Sequence, residues 1–308
     1  MTSAAARLFS MLTGAAMLAC AAPVPAQGLF GADQGKLLLT AGFSTIEGAG
    51  GGGLTPWALI TGYGSRDSWG ANLYVTGIAL RDFEFTSAGI GVGILDRFEL
   101  SFSRQMLEAT DGALDGVSVS QDVIGAKLRL FGDAVYAQDS WLPQVAIGAQ
   151  VKRHRGIRDA ARVGLSDLVS VTQLGAGDED DVDYYASATK IWLAQGLLVN
   201  ATLRYTRANQ FGLLGFGGDR DDDAALRAEG TIAYLLQRKI AIGVEYRARG
   251  RNLGSDDESA AWDAFIAWTP NRNVSIVAAY ANIGSVAAPI TGSSAEQDGA
   301  YLSAQVGF

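Results

Sequence analysis

Nine charged residues in this chain share a setting that gives them a chemistry. Glu99, Lys127, Arg129, Lys152, Arg204, Glu229, Glu245, Arg247 and Asp263 each stand in a run where polar and apolar residues alternate. Successive side chains of a strand point to opposite faces, so these charges lie on the face opposite an apolar stripe. In a packed soluble core such residues would be expensive unless paired. Facing a lumen, they are hydrated or joined in ion pairs across neighbouring strands. The pattern therefore predicts a lumen lined by both signs of charge, either a weakly ion-selective conduit or an interior sealed by its own ion pairs.

Other residues that carry chemistry point to less. His154 is the single histidine, so sites needing several His ligands are excluded, and any Ser-His-acid triad would have to use this one. It sits between Arg153 and Arg155 at the start of an expected external loop and reads as an exposed loop residue. The glycines of residues 48–53 resemble a phosphate cradle only superficially, because no GK[ST] follows and the strand-to-helix setting is missing. Asp178, Glu179, Asp180 and Asp181, and then Asp219, Asp221, Asp222 and Asp223, are oxygen donors suited to a divalent cation or to cations bridging lipopolysaccharide. Neither run has the spacing of an EF-hand, and acidic runs are ordinarily solvated surface. No catalytic residue, metal site or cofactor is assigned.

The chain has 308 residues, with 24 Lys and Arg against 32 Asp and Glu, 39 Gly and 6 Pro. An acidic balance is a poor basis for binding nucleic acid. Residues 1–26 read as a secretory signal: Arg7 supplies the charge, residues 8–22 the apolar region, and Val24, Pro25 and Ala26 a small-residue cleavage site before Gln27. The lone cysteine, Cys20, falls inside this segment, so neither a disulfide framework nor thiol chemistry is expected in residues 27–308. Beyond it, no apolar run approaches the length of a membrane helix.

The elements that would position the charged face are short alternating strands. Candidates run over residues 36–43, 55–62, 69–78, 86–94, 98–105, a longer segment reaching Phe131, 145–152, 183–192, 197–205, 229–236, 240–247, 262–268, 274–280 and 299–308. Most approach the roughly 9–11 residues that cross a bilayer with tilt. The expected fold is all-β, a transmembrane antiparallel β-barrel of about 14 strands, with 12 or 16 the neighbouring solutions, formed by residues 27–308 as one domain. Connection lengths sort the same way. Residues 47–53, 108–116, 153–181, 209–224, 250–258 and 284–298 form a long, external set. Residues 64–67, 95–96, 195–196, 237–238 and 270–273 form a short, periplasmic set, with residues 132–143 long on the short side. Tyr205, Tyr246, Trp262, Trp268 and Tyr280 fall towards strand ends, as interfacial girdles require.

The last strand ends the pattern on an aromatic ring. Leu302, Ala304, Val306 and Phe308 share one face, and this apolar face with its terminal Phe is read as the assembly signal that the barrel-assembly machinery would recognise.

Several strings also resemble a family of proteobacterial proteins catalogued as domain of unknown function 3034 (DUF3034). They are Gly35-Lys36-Leu37-Leu38-Leu39-Thr40, Ile46-Glu47-Gly48 and Gly52-Gly53-Leu54-Thr55-Pro56-Trp57-Ala58. Further along stand Gln121-Asp122-Val123-Ile124-Gly125-Ala126-Lys127, Gly132-Asp133-Ala134-Val135-Tyr136 and Trp141-Leu142-Pro143-Gln144. The resemblance implies an exported outer-membrane protein and brings no catalytic assignment. From the width of such a barrel and its charged inward face, and not from the resemblance, function is expected to be porin-like passive passage of small polar solutes. The alternative is a sealed structural or adhesive barrel acting through its external loops, and the third reading is a non-membrane exported β-protein. Outer-membrane lipid and lipopolysaccharide are the expected surroundings; the sequence leaves the oligomeric state open.

Overall fold

Two-residue alternation decides which face of each strand can meet lipid, and the strands carry it around a closed ring. The structure is a computed structural model that describes residues 36, 39, 43–254, 258–286 and 295–308. Two short strands, β1 (Phe43–Ser44) and β2 (Gly50–Gly51), pair only with each other. The wall follows: β3 (Trp69–Ala79), β4 (Phe83–Ile94), β5 (Phe98–Ala109), β6 (Ser118–Phe131), β7 (Gln144–Arg158), β8 (Asp180–Trp192), β9 (Leu197–Thr206), β10 (Ala225–Gln237), β11 (Ile240–Arg247), β12 (Ala261–Trp268), β13 (Val274–Asn282) and β14 (Asp298–Gly307). Each wall strand is antiparallel to its chain neighbour, and β14 pairs with β3 from Ala300↔Ala79 to Gly307↔Asn72. Twelve strands close the barrel, which leaves no unpaired backbone edge in the hydrocarbon.

The outward face is apolar. Leu100, Ile124, Leu203, Ile232 and Val244 are each half exposed or more, and together they band the outside of the ring. So much contiguous apolar surface is incompatible with a water-soluble monomer and fits a bilayer. Aromatic rings border the band. Trp69, Phe98, Trp141, Trp268 and Phe308 are exposed near the short-turn end, where Trp141 meets Trp192 edge-on at 5.8 Å. Tyr184, Tyr205, Tyr246, Trp262 and Tyr280 are exposed towards the other end. Among the described residues no helix is long and apolar enough to cross a membrane; strands do the crossing.

The ring has 12 strands, one of the neighbouring solutions to the expected 14, and the two strands of difference lie at the start of the chain. Residues 55–62 are not a wall strand; they run through the lumen. The physical reason is visible in Trp57, Ala58, Leu59 and Ile60, which are apolar on both faces and all buried. A wall strand needs one apolar and one polar face, and Pro56 could not donate to a central ladder. Of residues 36–43, Lys36, Leu39 and Phe43 are described, and none belongs to the wall. Residues 47–53, expected as an external loop, are also inside. The proposed export segment, residues 1–26 with Cys20, lies outside the described residues.

Most of the remaining connections sort by end as expected. The β4–β5, β8–β9, β10–β11 and β12–β13 turns are short and share an end with Phe308; the long connections share the other, together with one short turn, Leu80 to Asp82 between β3 and β4. Residues 132–143 are the long segment on the short-turn side. They fold back against the base of the barrel, where Lys190 Nζ donates to the Asp133 and Ala137 carbonyls at 3.2 and 2.7 Å. In β14, Leu302, Ala304 and Val306 lie on the outward face. Phe308 is tied in through its backbone, its N–H donating to Ala71 O and its O accepting from Tyr63 and Ala71 N–H.

Candidate functional site: the filled lumen

Residues 43–64 enter the ring from the short-turn end, climb towards the external rim, reverse around Glu47 and Gly53, and return to join β3. Ile46, Glu47, Leu54 and Ile60 are fully buried. The reversal depends on glycine, since a Cβ on Gly51 would lie 2.3 Å from Thr55 O and one on Gly52 would lie 1.9 Å from Glu245 Oε1. Only residues without a side chain let the backbone come this close.

Once inside, the segment's backbone must find partners there. Ile46 O accepts from Gln105 Nε2 and Ser87 Oγ, both at 2.6 Å, and from Tyr74 OH at 3.2 Å. Pro56 O accepts from Ser187, Asn200 and Thr202 at 3.0, 3.3 and 2.8 Å. Ala58 N–H donates to Thr189 Oγ1, and Gln144 Nε2 to Ala58 O. Trp57 Nε1–H reaches Thr231 Oγ1 at 3.0 Å. The Ser, Thr, Asn and Gln residues on the inward face, which look in sequence like generic lumen hydration, are these partners.

The charged residues concentrate at three points on the same segment. Near the short-turn end, Glu99 accepts from Gly50 N–H and Thr61 N–H, each at 2.8 Å, while Lys127 Nζ donates to Gly50 O and Leu59 O at 2.7 and 2.9 Å and pairs with Glu99 at 3.1 Å. Midway, Glu245 accepts from Leu54 N–H and Thr55 Oγ1–H, both at 2.7 Å, with Asp263 as its cross-strand neighbour. At the apex, the Glu47 carboxylate meets Lys152 Nζ at 2.5 Å, Arg247 at 2.7 Å and Arg204 at 3.3 Å. Asp183 pairs with Lys152 and Arg204 at 2.7 and 3.3 Å, and Glu229 with Arg204 and Arg247 at 2.5 and 3.3 Å. These three cations and three carboxylates are all nearly inaccessible, so their charges balance within the network. Arg129 lies apart at the base of the barrel, paired with Asp96, which also binds Lys36 at 3.0 Å.

A second element closes the lumen from outside. Residues 208–217, between β9 and β10, dip into the ring and bury Phe211, Leu213, Leu214 and Phe216. Phe211 O accepts from Lys152 Nζ and Gln121 Nε2 at 2.9 and 3.0 Å, and its ring lies under Arg247 at 4.8 Å. His154 is the surprise: it stands on β7, buried, not on an exposed loop. Its Nε2 bonds Leu213 O at 3.1 Å and its Nδ1 accepts from Gly156 N–H at 2.9 Å, so both ring nitrogens are occupied by backbone. Residues 159–179 stay at the rim, where Gly177 and Asp178 N–H donate to Phe216 O. The two acidic runs converge on a cation of the chain itself. Arg207 binds Asp178, Asp181 and Asp222 at 2.7, 2.6 and 2.8 Å. Among the described residues no group of three or more His, Cys, Asp or Glu is placed to hold a metal.

The interior is therefore close-packed. A void beside Trp57, Asp263, Tyr301 and Gln305 measures about 10 Å³, the room of one water. The large concavities, each about 680 Å³, lie on the outer wall instead. Glu47, Lys36, Thr55 and Trp57 are the site residues that alternation alone does not reveal. Their available signal was the apolar run at Trp57 to Ile60, which has no polar face to offer a lumen.

A closed antiparallel ring with an apolar outer band, two aromatic girdles and long loops at one end defines an outer-membrane β-barrel, here one with an occupied lumen. The chain belongs to the family described as "Protein of unknown function (DUF3034)", whose model matches residues 40–305. Among curated proteins, none matches it. The NanC porin is similar in fold, with a TM-score of 0.50 at 10% identity over 76% of this chain and 98% of that one. The KdgM porin in complex with disordered oligogalacturonate gives 0.46 at 10% identity over 77% and 99%. Omp33 of Acinetobacter baumannii gives 0.42 at 8% over 78% and 98%. At such identities the likeness is one of fold alone, and the latter two scores are too low to bear on function.

Proposed function

We propose that this protein is a sealed outer-membrane barrel that works through its external loop layer, and that passive passage of small polar solutes is not its resting activity. The observation that carries this reading is the plug formed by residues 43–64, bonded to inward side chains around the ring and locked at Glu47 by three buried cations. The loop layer supports it too, because residues 159–179, 207–224 and 248–254 interlock above the lumen. Asp219 N–H donates to Gly175 O, Arg220 N–H to Asn252 O, and Arg207 gathers carboxylates from two of the loops. The porin-like reading has its own support in the polar, charged inward wall, which would line a wet conduit if the plug left. Assembly through the barrel-assembly machinery, with Leu302, Ala304, Val306 and Phe308 as the signal, belongs to the same proposal; what supports it is that β14 is the strand closing the ring.

Planar-bilayer recording of the purified barrel, residues 27–308, tests the reading. No current steps are expected from inserted barrels. Reproducible ion-selective steps from the intact chain would overturn the sealed reading in favour of a porin.

A further inference from the structure

Charges are scarce on the outward face of the wall, and nearly all of them fall on five adjacent strands. β5 carries Arg104, β6 carries Asp122 and β7 carries Arg153 and Arg155, and the register sets Arg104, Asp122 and Arg153 side by side. Asp122 is almost covered, clamped by Arg104 at 2.7 Å and by Arg155, while the side chains of both arginines remain more than half exposed. Arg153 is exposed and has no ionic partner among the described residues. Around them stand Glu84, Glu108 and Asp180, of which Asp180 accepts from the His154 N–H. The described outward positions of β3 and of β9 to β13 carry no charge at all.

Below this row the wall is concave. Leu100, Ala126, Leu128, Ile147, Ala149 and Ala186 line a groove of about 680 Å³, deepened where alanines leave space between larger neighbours. Arg104 is four residues above Leu100, Asp122 four before Ala126, and Arg153 four above Ala149. On each strand the charge therefore lies about 13 Å along the chain from the groove floor. An arginine on the lipid face is unfavourable at depth and nearly neutral at the interface. Arg104 and Arg153 stand at one level with Arg155 two residues above them, and Asp122 engages only Arg104 and Arg155, so exposed guanidinium donors remain for an anionic partner there.

We infer that this face binds a phosphorylated outer-leaflet glycolipid of the lipid A type, its phosphate held by Arg104, Arg153 and Arg155 and one acyl chain lying in the groove beneath. The planar guanidinium matches phosphate in a two-pronged manner, and Asp122 holds two of the three in place. The groove supplies apolar contact for a chain attached to that headgroup, which a free anion cannot use. The site is on the outer wall and does not depend on whether the lumen conducts.

The test is titration of the detergent-solubilised barrel with diphosphoryl lipid A, dephosphorylated lipid A and inorganic phosphate, read by native mass spectrometry. The wild type is compared with Arg153→Gln, with Arg153→Gln/Arg155→Gln, and with Arg238→Gln at the opposite end as control. Arg153 has no ionic partner to lose, and Arg104 still holds Asp122 in the double variant, so both should keep heat-modifiable gel migration. Diphosphoryl lipid A should bind at least about tenfold more weakly to the double variant, with the single variant between and the control unchanged. Dephosphorylated lipid A should bind the wild type as weakly as it binds the double variant. Equal binding of both lipids, or no change in either arginine variant, would overturn the proposal and leave a groove for acyl chains alone. Displacement of lipid A by millimolar inorganic phosphate would equally overturn it, in favour of a free-anion site.

Discussion

Glu47→Ala is expected to destabilise the folded barrel by about 3–5 kcal/mol, the usual cost of removing one partner from a buried ion pair. The size follows from what is left behind. Lys152, Arg204 and Arg247 keep Asp183 and Glu229, so three buried cations face two carboxylates with no route to water. The network itself need add little net stability, because taking six charges out of water offsets their attraction; the penalty comes from breaking it. Guanidinium unfolding in phospholipid vesicles measures the change. Glu47→Ala combined with Arg247→Met should cost less than the sum of the two, with a coupling of about 0.5–3 kcal/mol. A loss below about 1 kcal/mol for Glu47→Ala, where exposed pairs fall, would show that Glu47 is not buried among these cations.

Deletion of residues 27–64 is expected to turn a silent barrel into a conducting one. It removes the partners of Ser87, Gln105, Thr189, Asn200, Thr202 and Thr231, whose side chains would then face water. Of their ion-pair partners Lys127 would keep Glu99, and the apex cations Asp183 and Glu229, so the exposed lining would carry both signs and select weakly between ions. Residues 208–217 still narrow the external end after this deletion. Removing residues 209–216 as well should therefore enlarge the current steps. Planar-bilayer recording of verified inserted barrels reads both effects, and silence in the doubly deleted protein would mean that something other than these two segments closes the lumen.

The wall was legible in the sequence because each of its strands must satisfy lipid on one side. Ile240, Ile242, Val244 and Tyr246 against Ala241, Gly243, Glu245 and Arg247 could be placed without a structure, and the two faces fall as the alternation requires. The loops sorted by length for a similarly local reason. The plug was not legible, because alternation describes what a strand offers to its two sides and is silent about what fills the space within. The run Thr55 to Gly62 has the length and apolarity of a strand and passed for one. Its departure was that both faces are apolar, a pattern suited to burial on all sides. What alternation could not supply for the charged set was its partner: Glu99 and Lys127 bind the buried segment and each other, and Lys152, Arg204 and Arg247 bind Glu47 of that segment together with Asp183 and Glu229. Glu47, set in a glycine-rich stretch, had no periodicity to mark it. His154 was misplaced for a related reason, since strand β7 continues to Arg158 and carries the ring inward past the point where alternation fades.

The occupied lumen is tested most directly by a disulfide across it. Thr55 on the plug and Thr231 on β10 are 176 positions apart, and their hydroxyl oxygens lie 2.6 Å from each other, well placed for cysteines to bridge. Thr55→Cys/Thr231→Cys in a Cys20→Ala background, oxidised in intact outer membranes, is expected to cross-link nearly completely and to migrate as a looped species until reduced. A barrel that is folded and heat-modifiable yet gives no cross-link would place residues 43–64 outside the lumen.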